Sequence, residues 1–581
     1  MIFYDFECFK HYTLCVAIDM ATQTTHVIET REQMSKFYEE HKHDIWCGYN
    51  SKSYDMYLLK GWIMGYDPYK INDWIINQNQ PGWKFSKEFR KIQFYNYDVI
   101  VKRAGNFIGL KECQYHMGSS IVECDVPWNL DRPLTNEEKS SVIEYCKNDV
   151  METVNVFLNT KDKFDAHLGL VKMYSLPLSD IDKTDAGLTA KVLKADRIHG
   201  RNDQFNIVLP NTLHLSKYKH IADWYMNPLN QDYNCTLTET VHGLPIDYAW
   251  GGFHGAVPKS RWDGLIIDTD VTSLYPSLMI EYGLLSRNIP EEFKGLYAEI
   301  KDNRVKLKKE KNPLQAALKL ILNTTYGILK DVNNPMYDPL MSNLVCLYGQ
   351  LLMTDLIEKL EIALDDNFEL IQVNTDGIFV KLKSKEYLPI YEEVCNKWSE
   401  RTRLGLEHDF YTRMVQKDVN NYIAVKQDGS LHRKGAYVKE LGPMDYELAI
   451  VNKALVEYFT KDVPVEDTIN NCKSFKDFQT CCKLTSNYDY LMHGGKKLDH
   501  KYYRVFASKE RTDPGMFKVK VKLGGNSKQK IANTPEHCFI VNEDVNDKRC
   551  PRRLDKDYYI RMAYDRIEQY MGYDVNQMRL W

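Results

Sequence analysis

Several features are missing from this 581-residue sequence, and each absence narrows the field. Fourteen cysteines are present but no paired CxxC spacing; Cys481 and Cys482 are adjacent and the others are scattered. That argues against a zinc ribbon, and in a chain of this size it reads as reduced thiols in a cytosol. No run of 18 apolar residues occurs, so no membrane span is expected. The opening MIFYDFECFK lacks the long apolar core of a signal peptide. An excess of positive charge is also lacking: the net charge is −4, which excludes a uniformly basic nucleic-acid coat. It leaves room for an enzyme whose acidic metal sites offset local basic grooves. Neither an internal repeat nor a low-complexity tract appears.

What is present is ordinary in bulk, with 44% apolar and 27% charged residues. The length suggests about three to five folding units. Tyrosine stands out at 39 residues. It offers stacking area and a hydroxyl, which suits surfaces that touch nucleotides, although biased genome composition would give the same excess. Alternating short strands and helices are expected over the first 165 or so residues, opening with a strand at Ile2–Glu7 and closing with a helix at Asn136–Leu158. Between 264 and 382 the pattern predicts a strand (Gly264–Asp270), helices at Phe293–Lys309, Leu314–Tyr326 and Asn343–Asp365, and a hairpin at Glu369–Leu382. A final helix is expected over Lys556–Met571.

Two groups of carboxylates carry the chemistry. Asp5 and Glu7 lie two apart on an apolar strand and so share a face. Side by side they repel and are costly to desolvate, a cost that a divalent cation removes; an exposed edge strand is the plainer account. Gly48-Tyr49-Asn50-Ser51-Lys52-Ser53-Tyr54-Asp55 adds an acid at a helix start, and Tyr145 and Asp149, four apart, share a helical face. The second group begins with Asp268-Thr269-Asp270-Val271-Thr272-Ser273-Leu274-Tyr275-Pro276-Ser277, where a buried strand ends in acids. In Lys319-Leu320-Ile321-Leu322-Asn323-Thr324-Thr325-Tyr326-Gly327, Lys319, Asn323 and Tyr326 share a helical face, and upstream Arg304 and Lys308 are one turn apart. Taken alone, this would be an amphipathic helix with a solvated lysine. Gln372-Val373-Asn374-Thr375-Asp376-Gly377-Ile378 places Asp376 at a hairpin tip.

The order DxE, NxxxYD, YxxxD, then DxxSLYPS, KxxxNxxYG and NTD resembles the family B DNA polymerases with a 3′→5′ proofreading exonuclease. The resemblance is clear over residues 1 to about 440. It implies an RNase-H-like α/β exonuclease domain joined to an α+β right-hand polymerase of palm, fingers and thumb. It implies exonuclease metal ligands at Asp5, Glu7, Asp55 and Asp149, a water-orienting Tyr145, and a grip on the single-stranded 3′ end by Asn50 and Tyr54. In the polymerase part it implies catalytic Asp270 and Asp376, with Val271 beside Asp270 among the metal-holding positions. Tyr275 would pack under the incoming sugar and block a 2′-hydroxyl, Arg304, Lys308 and Lys319 would converge on the triphosphate, and Asn323 and Tyr326 would complete the nucleotide site. Two Mg²⁺ ions per active site are implied, with Mn²⁺ as the alternative; acidic oxygen ligands suit either.

Some positions depart from the pattern. Asn374 replaces the first acid of the usual DTD, while Asp376 keeps the second. Asp268 is expected to support Asp270 rather than to bind metal. Gly251 and Gly252 resemble a YxGG template contact whose tyrosine is displaced to Tyr248. Tyr422 occupies the place of a KxY primer contact lacking its lysine, with Lys434-Gly435 following. Lysines 496, 497, 501, 509, 518, 520, 522, 528 and 530 make the region after 490 basic, either merely solvated or tracking duplex phosphates as a thumb. The division implied is exonuclease at 1–165, linker and first palm segment at 166–290, fingers at 291–327, second palm segment at 328–440 and thumb at 441–581. Because the first exonuclease strand opens the chain, the N-terminal domain of larger members is expected to be absent. Such compact forms resemble bacteriophage, plasmid and mobile-element polymerases. The implied partners are primer-template DNA and dNTPs, with a helicase, clamp or single-strand-binding protein besides, in the cytoplasm (the host's, for a viral protein). The alternatives are a protein-primed replicase of the same family and, in a different class, a nucleic-acid-binding protein with degenerate sites.

Overall fold

The strand IFYDFECF at the N-terminus alternates large apolar side chains, so both its faces can be buried, and the computed structural model places it at the centre of a sheet. The structure describes residues 1–103, 105–197, 202–522 and 525–572. They form two compact units. The first comprises Met1–Asp182, Leu441–Ile450 and Asn470–Tyr559; the second comprises Lys183–Glu440, Val451–Ile469 and the chain from Ile560 onward.

In the first unit, β1 (Ile2–Phe9), β2 (Tyr12–Asp19), β3 (Thr24–Ile28), β4 (Ile45–Gly48) and β5 (Tyr95–Asp98) form one sheet in the order β3-β2-β1-β4-β5. β1 runs antiparallel to β2, pairing Asp5 with Val16, and parallel to β4. The alternation of β1 divides the core. Ile2, Tyr4, Phe6 and Cys8 join one cluster with Trp46, Leu58 and Leu59, and Phe3 and Phe9 join the other with Val142, Cys146, Val150 and Phe157 of the helix Asn136–Met173. Asp5 and Glu7 therefore interrupt an apolar face between Phe3 and Phe9, opposite that helix. Its start is fixed by a capping box between Thr135 and Glu138. It runs 15 residues beyond the expected end at Leu158, from 158 to 173. The polar Asn159-Thr160 step does not stop it, because Thr160 Oγ1 donates back to the Val156 carbonyl at 2.8 Å while Phe164, His167 and Leu170 extend the buried stripe. A short hairpin, β6 (Lys102–Arg103) and β7 (Asn106–Phe107), precedes the helix Leu110–Met117.

The second unit is built on a nine-stranded antiparallel sheet: β8 (Thr236–Val241), β9 (Leu244–Ala249), β10 (Gly252–Ala256), β11 (Ser260–Val271), β12 (Phe368–Asn374), β13 (Gly377–Leu382), β14 (Leu406–Asp418), β15 (Asn421–Lys426) and β16 (Leu431–Lys434). The order is β16-β15-β14-β11-β13-β12-β10-β9-β8, which sets β11 between β14 and the β12–β13 hairpin. The helices Leu274–Glu281, Glu291–Lys309, Gln315–Gly327, Pro339–Leu364 and Leu388–Thr402 connect the strands. Pro339–Leu364 is apolar enough by composition to cross a membrane, but its most apolar stretch is wholly buried within the unit. Expected and observed elements agree closely across this stretch, including Glu291–Lys309 and Gln315–Gly327.

Residues 470–559 add two small sheets to the first unit. One is β17 (Thr480–Lys483), β20 (Tyr502–Ala507) and β23 (Cys538–Ile540); the other is β18 (Tyr490–His493), β19 (Lys496–Leu498), β21 (Met516–Lys520) and β22 (Ser527–Lys530). They are tied to the N-terminal segment by charge. Arg504, fully buried, donates to the carbonyls of Ser119 at 2.7 Å and Glu543 at 2.8 Å, and Lys483 pairs with Glu112 at 2.7 Å. These residues, expected within a thumb, thus group with the first 182 residues. All 14 cysteines are free thiols.

Candidate active sites

The first carboxylate group assembles around β1. Asp55 opens the helix Asp55–Met64, and its Oδ1 accepts the backbone N–H of Phe6 at 3.1 Å, which brings it to the strand between Asp5 and Glu7. From the facing helix, Asp149 and Tyr145 arrive one turn apart, and the Cys146 thiol donates to the Asp5 carbonyl at 3.7 Å. Ligand atoms of Asp5, Glu7 and Cys146 lie within 4.8 Å of one another. Glu7, Asp55 and Asp149 are all buried. The four acids expected from the motifs are therefore brought together.

Burial and mutual repulsion dominate their electrostatics. Desolvation, then Asp149, push Asp5 up to about 7, against the pull of Lys111. Glu7 is raised by desolvation and by Asp5, and Asp55 by desolvation and by Asp5. Burial also holds the Cys146 thiol and the Tyr145 phenol in their neutral forms. A cluster of carboxylates this strained in its charged form fits a hard divalent cation, whose oxygen ligands these would be. Lys111 sets a cation against this cluster, its Nζ 2.5 Å from Asp149 Oδ1 and 4.4 Å from the centre of the Tyr145 ring. Sequence reasoning missed Lys111: it lies 38 residues before Asp149, and no local spacing links them. Of the two residues expected to grip a strand end, Asn50 is exposed and left-handed at φ 58°, while the Tyr54 hydroxyl is held by Asn72 Oδ1 at 2.7 Å.

The second group sits where β11 ends. Asp270 pairs with Gly377 across β11–β13, and the Val271 N–H donates to the Asp376 carbonyl at 2.9 Å. This register puts the exposed tip acid Asp376 beside Asp270. A glycine is required at 377 because a Cβ there would overlap Asp270 Oδ1. On its other edge β11 meets β14, with Asp268 opposite Asp409 and Asp270 opposite Glu407. Asp270 reaches solvent, yet protein crowds its carboxyl. That desolvation, then Asp376, Asp409 and Glu407, push it up to about 6, with Lys434 opposing. Asp268 is buried and raised well above the ordinary carboxylate range by desolvation and by Asp270. Glu407 and Asp409 were not expected; only the strand register brings them in.

Asn374 shapes the turn that presents Asp376, since its Oδ1 accepts the Thr375 N–H at 3.0 Å. Gly252, at φ 154°, lets β10 approach the same turn, where a Cβ would lie 3.3 Å from Thr375 Oγ1. Gly251 beside it is exposed. Tyr248 is fully buried with its hydroxyl 3.0 Å from Thr354 Oγ1, a core residue. Tyr422, expected as a primer contact, is 3% exposed, and its ring packs on Phe379 and His432. Lys434 lies with its Nζ 5.8 Å from the centre of that ring.

Helix Glu291–Lys309 and helix Gln315–Gly327 form a hairpin, joined through Tyr297, whose hydroxyl donates to the Leu322 carbonyl at 3.2 Å. The apolar positions Ala317, Leu318, Ile321 and Leu322 are buried, which leaves Lys319 and Asn323 exposed, with Lys308 exposed on the partner helix. Arg304 is half-buried, and its Nε–H is shielded from solvent with no acceptor among the described residues. A guanidinium in that state fits an absent anion. Tyr326 stacks on Tyr275 from the helix Leu274–Glu281, with centroids 3.9 Å apart and planes at 20°. The preceding Ser273 is left-handed at φ 51°, a strained position for a residue with a Cβ, at the turn between Asp270 and Tyr275.

No family model matches the chain. Among curated proteins it is similar to DNA polymerase 1 of Saccharolobus solfataricus, 25% identical over 304 residues that cover 44% of this chain and 33% of that protein. It is similar to the DNA polymerase of Archaeoglobus fulgidus, 21% identical over 583 residues, covering 90% of this chain and 68% of that one. The DNA polymerase alpha catalytic subunit of Arabidopsis thaliana matches at 26% over 223 residues, 32% of this chain and 14% of that one. The chain thus spans about a third or less of the length of most of these relatives. Among solved structures, a family B DNA polymerase from Pyrobaculum calidifontis aligns over 98% of this chain and 77% of its own, with a TM-score of 0.43 and 14% identity.

Proposed function

We propose that the chain is a template-directed DNA polymerase of the family B type that carries its own 3′→5′ exonuclease. The observation that carries this reading is the presence of two carboxylate groups, one in each compact unit, in which burial and neighbouring acids push Asp5 up to about 7 and Asp270 up to about 6. In the second unit Asp270 and Asp376, with the Val271 main chain, would hold Mg²⁺ or Mn²⁺. Bound there, a divalent cation supplies an acidified primer hydroxyl and charge stabilisation for the leaving pyrophosphate. Arg304, Lys308 and Lys319 neutralise and orient the triphosphate, and Asn323 lies on the same face as Lys319. Tyr275, pinned by Tyr326, fills the volume beside the 2′-carbon of the incoming sugar.

In the first unit Asp5, Glu7, Asp55 and Asp149 would hold the cations of the hydrolytic site. Tyr145 stays a neutral hydroxyl able to orient the attacking water, and Lys111 balances Asp149. The enzyme extends a nucleic-acid primer rather than a protein hydroxyl. Between Asp270 and Lys319 the chain is occupied by Leu274–Glu281 and Glu291–Lys309, and between Gly327 and Asp376 by Pro339–Leu364 and β12. Neither gap holds an additional subdomain. Replication of a phage or mobile-element genome is the setting that the resemblance to compact family members favours. Primer extension on a recessed duplex with Mg²⁺ and four dNTPs tests the reading. Template-dependent extension is expected; binding of the duplex without incorporation, in Mg²⁺ and in Mn²⁺, would favour a degenerate binding protein instead.

A further inference from the structure

The face of β1 that carries Asp5 and Glu7 continues to Phe9, which is 2% exposed. On the Phe9 ring lies the indole of Trp128, with centroids 4.8 Å apart and planes at 21°. The same indole meets the Tyr145 ring edge-on at 6.3 Å. Unlike the rings beneath and beside it, Trp128 is 47% exposed. Its N–H donates to no protein acceptor among the described residues. A large apolar ring left open to water, fixed from below by a buried phenylalanine and touching the tyrosine of a carboxylate cluster, is more than loose surface.

We propose that Trp128 is a stacking platform for the unpaired base at the 3′ end of a single strand in the first unit; this rests on the exonuclease reading of that unit. Every base has a π-face, so an indole grips any terminal nucleotide without reading its identity, as an enzyme that removes whichever nucleotide is misplaced requires. Paired bases stack within their duplex and do not offer that face, so the platform selects a frayed end. Phe9 holds the indole in place before the strand arrives, which lowers the ordering cost of binding. The free N–H is a donor for a phosphate or a base edge.

The test compares the full-length protein with Trp128→Ala and Trp128→Phe on two 5′-labelled single-stranded thymidine oligonucleotides. One is intact and the other lacks the base of its 3′-terminal residue. With Mg²⁺, Trp128→Ala is expected to raise KM for the intact strand by about ten-fold or more, with kcat little changed. On the base-less strand it is expected to match the parent, and Trp128→Phe is expected to recover most of the loss. Equal KM on the intact strand, or an equal loss on both strands, would overturn the proposal. If the parent removes no 3′ nucleotide at all, the exonuclease reading falls. The affinities of the same oligonucleotides in EDTA then decide the platform separately: a loss confined to the intact end upholds it, and none refutes it.

Discussion

Asp270 and Gly377 face each other so closely that one side chain depends on the other's absence. Replacing Asp270 or Asp376 by alanine is expected to lower nucleotide incorporation by several orders of magnitude, the scale of lost charge stabilisation at a metal site. Gly377→Ala should approach the same loss, because its methyl group can be accommodated only by moving the Asp270 carboxylate. Single-turnover incorporation, with circular dichroism to confirm folding, checks all three; a fully active Gly377→Ala would show that Asp270 is misplaced. Asn374→Asp is expected to stay active, since a carboxylate oxygen accepts the Thr375 N–H as well as the amide does. A dead variant would give the asparagine a role beyond shaping the turn.

The helix Leu274–Glu281 is short, and its first turn presents Tyr275 to Tyr326 across a 3.9 Å stack. On the proposed reading Tyr275→Val removes the ring that would fill space beside the sugar, so discrimination against ribonucleotides is expected to weaken. The ratio of kcat/KM for dNTP to that for rNTP measures it, and an unchanged ratio would remove Tyr275 from that role. At this scale the sequence was readable where one element carries the signal. The alternation of β1 put Asp5 and Glu7 on one face, and helical spacing put Lys319 and Asn323 on the exposed side of a buried stripe. It was unreadable where separate elements meet. Lys111 reaches Asp149 from another helix, Glu407 and Asp409 face Asp270 and Asp268 only through the β11–β14 register, and Tyr422 meets Phe379 and His432 only through the packing of β15. Local periodicity holds no information about any of these pairings.

Across the whole molecule, the acids of the first unit are expected to tie stability to pH and, on the proposed reading, to metal. Burial pushes Asp5 up to about 7 in the folded protein, and Glu7 and Asp55 are also raised, all by desolvation first. Folded carboxylates with raised values bind more protons than their unfolded counterparts, so their contribution to stability is full at low pH and lost as pH rises through the folded values. Without divalent cations the full chain is therefore expected to lose thermal stability between about pH 4 and 7 through Asp5, with Glu7 and Asp55 acting in the same direction. Added Mg²⁺ or Mn²⁺ should raise the apparent Tm more at pH 8 than at pH 5.5, by on the order of a few degrees. Asp5→Asn with Glu7→Gln should shrink that difference. An equal metal-induced shift at both pH values in the parent chain would mean the cluster is not where the cation binds. The central claim is that two carboxylate sites in two compact units do separate chemistry on one DNA end. It is tested most directly by crossing two variants, Asp5→Ala with Glu7→Ala, and Asp376→Ala, and measuring primer extension and 3′-end removal by each on the same labelled strand. The account predicts that the first extends primers but no longer shortens single strands, and that the second shortens them but no longer extends. Loss of both activities in either folded variant, or of neither in both, would contradict it.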